Sequence, residues 1–381
     1  MKDSTLVQAA GRWLTVGAIA ALGCVTQGGS GNAPGQSKSP LSEGESSASS
    51  GASPATQIEI VKAPSMMRGM NLAGAEFAEG SLPGTHGKEY MYPDGKYSSG
   101  YSSPSYFAKK GMNVFRLPFR WERLQPQRNE PFDKAELERL QTTVTNLKAL
   151  GAKVILDPHN YARYKKEIIG SSAVPSRDFA DFWKRMATLY KDDDAVIFGL
   201  MNEPKEMKSE QWRDAANEAI VAIRKTGAKN LVLVPGNGWT GAHSWMQNWY
   251  GTPNGELMLT IVDPADNVAF EVHQYMDKDS SGSGDECVSE TIGAERMKAF
   301  TDWAKQHKKR GFLGEFNGGD NPLCEAAVQN MLNHVESNPD VYLGWTWWAA
   351  GPMWGGGSKR VMEPRKGEYP AQWRWLEPRL R

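Results

Sequence analysis

The run Val196-Ile197-Phe198-Gly199-Leu200-Met201-Asn202-Glu203-Pro204 limits the possible folds more than any other stretch of this chain. It is apolar until it ends abruptly in an amide, a carboxylate and a proline. Continuous apolarity suits a strand buried on both faces, as in a parallel sheet. Pro204 cannot continue a strand ladder and biases Glu203 away from helix, so the carboxylate stands where strand becomes loop. Gly311-Phe312-Leu313-Gly314-Glu315-Phe316 repeats the design far downstream. Taken alone, either glutamate could be a surface residue or a buried, paired one.

The rest of the chain supplies the context. Short apolar runs at Met67–Leu72, Asn113–Leu117, Lys153–Leu156, Val196–Met201, Asn230–Val234, Val268–Val272, Phe312–Gly314 and Val341–Trp347 read as strands. Helical patterns lie between them at Asp133–Leu150, Ser176–Tyr190, Ser209–Thr226, Ser289–Lys308 and Cys324–Glu336. Strands alternating with helices predict an α/β fold, and the strand count predicts a (β/α)8 TIM barrel. Leu137, Leu140, Val144, Leu147 and Leu150 recur at helical spacing and are expected to face the sheet.

Polar residues gather at the downstream ends of those strands, which in a barrel form one catalytic face. Arg116 and Arg120 follow strand two, and Asp157, His159 and Asn160 follow strand three. Asn202 and Glu203 close strand four; Glu271, His273, Gln274 and Tyr275 close strand six. Glu315 ends strand seven, and Trp347 and Trp348 end strand eight. Singly, Arg116 could be a buried ion-pair partner and either histidine a satisfied core imidazole. Core packing does not readily put all of them at the same end of successive strands. Two carboxylates placed this way are what retaining glycoside hydrolysis requires. No His-x-His or compact His/Asp/Cys cluster appears, so no metal and no cofactor are expected.

Composition agrees. Net charge is zero, with 44 basic and 44 acidic residues. That excludes the charge footprint of a nucleic-acid binder or an anionic-membrane binder. Fourteen tryptophans suit a large core, or sugar binding, because flat rings cover pyranose faces. Residues 1–24 read as an export signal with a short apolar segment. It ends in Ala21-Leu22-Gly23-Cys24, an imperfect lipobox; lipid on Cys24 and ordinary cleavage nearby both stay open. Residues 25–57, rich in Ser, Gly and Pro, cannot bury enough surface to order and read as a flexible linker or pro-segment. Residues 58–381 read as one catalytic domain, expected to act as a monomer.

The strand-end residues resemble glycoside hydrolase family 5, the retaining cellulases and relatives of clan A. Gly199-Leu200-Met201-Asn202-Glu203-Pro204 and Gly314-Glu315-Phe316 carry the likeness most strongly. Arg116, His159, His273 and Tyr275 fall in matching contexts. Arg68–Phe77, Leu82-Pro83-Gly84 and Gly344–Pro352 are similar to a subgroup of fungal and bacterial endo-β-1,4-glucanases. The resemblance implies Glu203 as acid/base and Glu315 as nucleophile. It further implies that Arg116 and Tyr275 hold Glu315, that His273 tunes the pair, and that Asn202 meets the sugar 2-hydroxyl. His159 and Asn160 would line the same subsite, floored by Trp348 or Trp347, with Trp348 the better match. Lys205-Glu206-Met207 stands where that subgroup commonly has His-Asp-Met, a departure that bears on subsite preference rather than on the reaction.

Cys287 and Cys324 fall in loops on the same barrel face and are expected to form a disulfide, leaving Cys24 unpaired. The expected partner is a β-glucan chain cut by a secreted or envelope-tethered endoglucanase. Mannanase or xyloglucanase activity on the same barrel, and a non-catalytic glucan-binding protein, are the alternatives.

Overall fold

The structure, a computed structural model, describes residues 66–93, 103–354, 361–363 and 369–380. The export signal with Cys24, the linker over 25–57 and the domain start at Ile58 lie outside the described residues.

Eight strands close into a parallel barrel. They are β1 (Met67–Leu72), β2 (Val114–Phe119), β3 (Lys153–Pro158), β4 (Val196–Gly199), β5 (Val232–Pro235), β6 (Val268–His273), β7 (Gly311–Glu315) and β8 (Tyr342–Ala350). Each pairs with its sequence neighbours, and β8 closes on β1 with Gly344 opposite Met67. All eight expected strands are present, with shifted ends. β2 and β3 run two residues further than expected, and Pro118 and Phe119 pair with Asp157 and Pro158. β4 stops at Gly199, after which the Asn202 amide turns aside to the Pro158 carbonyl at 3.0 Å.

The outward strand faces bury against the helix ring, which includes Lys134–Ala149, Ser176–Tyr190, Ser209–Lys225, Ile292–Gln306 and Pro322–Glu336. Asp133 caps the first by accepting from the Glu136 amide at 2.9 Å, and Asn321 caps the last by accepting from Cys324, with Pro322 in its first turn. Leu140, Val144 and Leu147 are buried and Leu137 half-buried, whereas Leu150, expected on the same face, lies past the last turn and is 37% exposed. Trp183 and Trp212 are fully buried and use their indole N–H groups on the carbonyls of Leu200 (3.1 Å) and Pro235 (2.7 Å). They fix the ends of β4 and β5 from outside the barrel. Among the described residues seven tryptophans are fully buried, so much of the surplus serves the core. Truncating one should cost about 3–5 kcal/mol. Short elements without a strong periodic signal were not expected: the helix Ser103–Lys109, the hairpin pairing Arg163–Tyr164 with Glu167–Ile168, and the helix Trp373–Leu376.

Candidate active site

The barrel interior changes character within two residues along the strands. Val114, Ile155, Ile197, Leu233, Ala269 and Phe312 form an apolar cluster of their own. Side chains two apart share a strand face. The next inward positions after Val114, Ile155, Ala269 and Phe312 are therefore Arg116, Asp157, Glu271 and Gly314. Gly314 is glycine for a spatial reason: a Cβ there would lie 2.3 Å from Glu271 Oε1.

Arg116, wholly buried, ties this layer together. Its Nη1 donates to Glu315 Oε1 (2.9 Å) and Asn71 Oδ1 (3.0 Å), and Nη2 donates to Asn202 Oδ1 (2.8 Å). Ion pairs to Asp157 (3.0 Å) and Glu271 (2.9 Å) complete the set. Burial would weaken its charge, but Asp157, Glu271 and Glu315 outweigh that and push its pKa above the usual arginine range.

His273 stands between carboxylates. Nδ1 is 2.8 Å from Glu203 Oε1 and 3.6 Å from Glu315 Oε2, and Nε2 is 3.0 Å from Glu271 Oε1. Burial alone would depress its pKa; the three carboxylates raise it instead, to about 10. It is an imidazolium at neutral pH and donates from both nitrogens. One ligand atom each from Glu203, His273 and Glu315 lies within 4.8 Å of the others. His273 Nδ1 thus links the two strand-end carboxylates through one ring atom.

Glu315 is buried, and the Tyr275 hydroxyl donates to its Oε2 at 2.7 Å. Burial raises its carboxyl to about 7, against the pull of His273 and Arg116; Glu203 adds to the rise and the Tyr275 hydroxyl opposes it. Glu203 sits at φ +40°, a left-handed conformation rare for a residue with a side chain. His273 is its one hydrogen-bond partner among the described residues.

His159 Nδ1 meets Asp157 Oδ2 at 2.8 Å. Burial and the charges of Arg116 and Arg120 keep its pKa well below the usual histidine range, so this imidazole is neutral. Burial lifts Asp157 to about 7, with Arg116 opposing. Trp348 stacks on His159 with centroids 5.3 Å apart and planes at 19°. Trp347 points the other way, buried edge-on against Phe316 at 5.2 Å. Of the two tryptophans, it is Trp348 that faces the site. Asn160 does not line it: its amide accepts from the Trp121 backbone (2.9 Å) and donates to Glu122 (2.6 Å). Cys287 and Cys324 are disulfide-bonded beside the loops after β6 and β7.

Asp157, Glu271 and Asn71 received no role from the sequence. The signal was there for two of them: Asp157 precedes His159, and Glu271 precedes His273, by one strand repeat.

Residues 72–351 match the family model "Cellulase (glycosyl hydrolase family 5)". The chain belongs to glycosyl hydrolase family 5. It is 42% identical to endo-β-1,4-glucanase B of Aspergillus niger over 288 residues, 75% of this chain and 82% of that one. Among solved structures, XacCel5A in complex with cellopentaose is 48% identical, with a TM-score of 0.79 over 82% of this chain and 98% of that one. The Pseudomonas stutzeri endoglucanase Cel5A, solved with cellobiose, is 34% identical, with a TM-score of 0.75 over 83% of this chain and 92% of that one.

Proposed function

We propose that this family 5 hydrolase is a retaining endo-β-1,4-glucanase that cuts internal bonds of cellulose-like chains. The observation that carries the reading is the pairing of Glu203 and Glu315 across His273, with oxygens within 4.8 Å. Retaining enzymes need carboxyls only ~5–5.5 Å apart, too close for the water an inverting enzyme places between them. The likeness to endo-β-1,4-glucanases, one solved with cellopentaose, supports the substrate class.

In this reading Glu315 attacks the anomeric carbon while the glycosidic C–O bond breaks and Glu203 gives its proton to the departing oxygen. Water then loses a proton to Glu203, attacks the same carbon and releases Glu315. Arg116 and Tyr275 hold Glu315 in line, and His273 links the two carboxyls. Arg116 takes up Asn202 Oδ1, leaving the buried Nδ2, unpartnered among the described residues, free to donate to the sugar 2-hydroxyl. Trp348 on its His159 backing floors the attacked sugar.

The test is product analysis on carboxymethylcellulose, glucomannan and xyloglucan. Fast viscosity loss on the first with β-anomer formed first in the NMR spectrum is expected; an α-anomer first overturns retention, and preference for another polymer overturns the glucanase assignment. We further propose export through residues 1–24, with residues 25–57 as a dispensable tether and Cys24 as its lipid anchor. No helix among the described residues is long and apolar enough to cross a membrane. Mass spectrometry of the exported protein should find lipid on Cys24; an unmodified N-terminus further down the chain rejects the anchor.

A further inference from the structure

A row of rings crosses the catalytic face. Trp348 stacks on His159, Tyr161 stands edge-on to His159 at 5.4 Å, and Trp239 lies further out, 37% exposed. Between the last two sits a cation. Lys205 Nζ is 5.2 Å from the Tyr161 ring centroid and 5.5 Å from that of Trp239. Such contacts orient an ammonium without supplying a counter-charge. The adjacent carboxylate, Glu206, is taken by Arg163 at 3.1 Å, and Arg163 also donates to the Lys205 carbonyl at 3.2 Å. Among the described residues the Lys205 ammonium has neither a carboxylate partner nor a hydrogen bond, though the residue is half-buried. It is held in place by two rings and left without a counter-charge among the described residues.

Its side of the site follows from the chemistry. Trp348 and Glu315 flank the sugar under attack, while Glu203 protonates the departing oxygen. Lys205 follows Glu203 by two residues, at the far end of the ring row from Trp348, so it borders the leaving group. We propose that Lys205 makes the leaving-group side selective for β-glucans carrying a carboxylate substituent, such as glucan oxidised at C6 or bearing uronic acid. A carboxylate there would gain both a hydrogen bond from a pre-positioned ammonium and the attraction of opposite charges; a neutral hydroxymethyl gains the hydrogen bond without the ion pair.

This inference rests on the glucanase reading, and the experiment separates the two. Partly C6-oxidised cello-oligosaccharides and their neutral parents are digested by the wild type, Lys205→Met, Lys205→Gln and Lys205→Arg, and products are sequenced by mass spectrometry. In the wild type, carboxylates should be enriched at the non-reducing end of the leaving fragment. The kcat/KM ratio of oxidised to neutral substrate should fall about five- to tenfold in the Met and Gln variants and recover in Arg. High salt should erode the wild-type preference. An unchanged ratio and random carboxylate positions overturn the proposal while leaving the glucanase reading intact. Failure of the wild type to cut the neutral oligosaccharides overturns the glucanase reading instead. Two neutral variants guard against one that fails to fold.

Discussion

Glu203 and Glu315 face each other across one imidazolium, yet the protein treats them in opposite ways. Glu315 ends a strand, is buried, and is held by Arg116 and Tyr275 with His273 alongside. Glu203 stands just past a strand in a left-handed turn, with a side chain 15% exposed and one partner among the described residues. A nucleophile gains from being immobile and aimed. An acid that later becomes a base has to meet a departing oxygen and then a water, which a fully tied carboxylate could not do. The difference in tethering is thus a difference in task.

The largest test removes each in turn. Glu315→Gln should abolish hydrolysis of every substrate, because no glycosyl-enzyme can form. Glu203→Gln should lose about 10²–10⁴-fold where the leaving group needs a proton. It should still react with an aryl glucoside whose leaving group departs unprotonated, and azide should then yield a β-glycosyl azide. Azide rescue of the Glu315 variant to an α-product, with the Glu203 variant inert, would reverse the assignment.

Arg116→Gln comes next, since it strips the shared cation from Asp157, Glu271 and Glu315. Breaking a buried charge cluster on one side costs about 3–5 kcal/mol. A fall in melting temperature should accompany the loss of activity, and unchanged stability would mean the three carboxylates do not depend on it. Tyr275→Phe is milder. The hydroxyl lowers the Glu315 pKa, so its loss raises that pKa. Activity needs Glu315 ionised, so the acid limb of kcat/KM should move to higher pH, with kcat down roughly tenfold. A limb that stays put or moves down would detach Tyr275 from the nucleophile. The smallest catalytic effect belongs to Cys287→Ser with Cys324→Ser. Opening a 37-residue span should cost about 2–4 kcal/mol of stability, read as a lower melting temperature with kcat at 25 °C nearly intact. A large kcat loss would instead make the bridge part of how the Glu315 side is aimed.

What could be read from the sequence follows the same divide. Glu203 and Glu315 were legible because their immediate neighbours mark the end of a strand. Arg116, His159, His273 and Tyr275 were legible as strand-end residues. Asp157 and Glu271 act through atoms on other strands, so their importance emerges only when the barrel closes, although their two-residue offset from a histidine was visible. The choice between Trp347 and Trp348 depends on which strand face turns inward, and adjacent residues offer no hint of that. The Lys205 arrangement was least legible. It depends on Tyr161, Glu206 and Trp239 all at positive φ, conformations that tertiary contacts impose on residues without local preference for them.

Four carboxyls, of Asp157, Glu203, Glu271 and Glu315, surround two cations, Arg116 and His273. Once Glu203 holds the proton it will donate, ionising the other three leaves one negative charge without a match. The pocket is electrostatically incomplete while the substrate is neutral. Positive charge growing on the anomeric carbon supplies what is missing, so the field favours the oxocarbenium-like transition state over the ground state. Burial raises the carboxyls of Asp157 and Glu315 above the usual carboxylate range, so acid reaches them first, and each proton they take up cancels part of that unmatched charge.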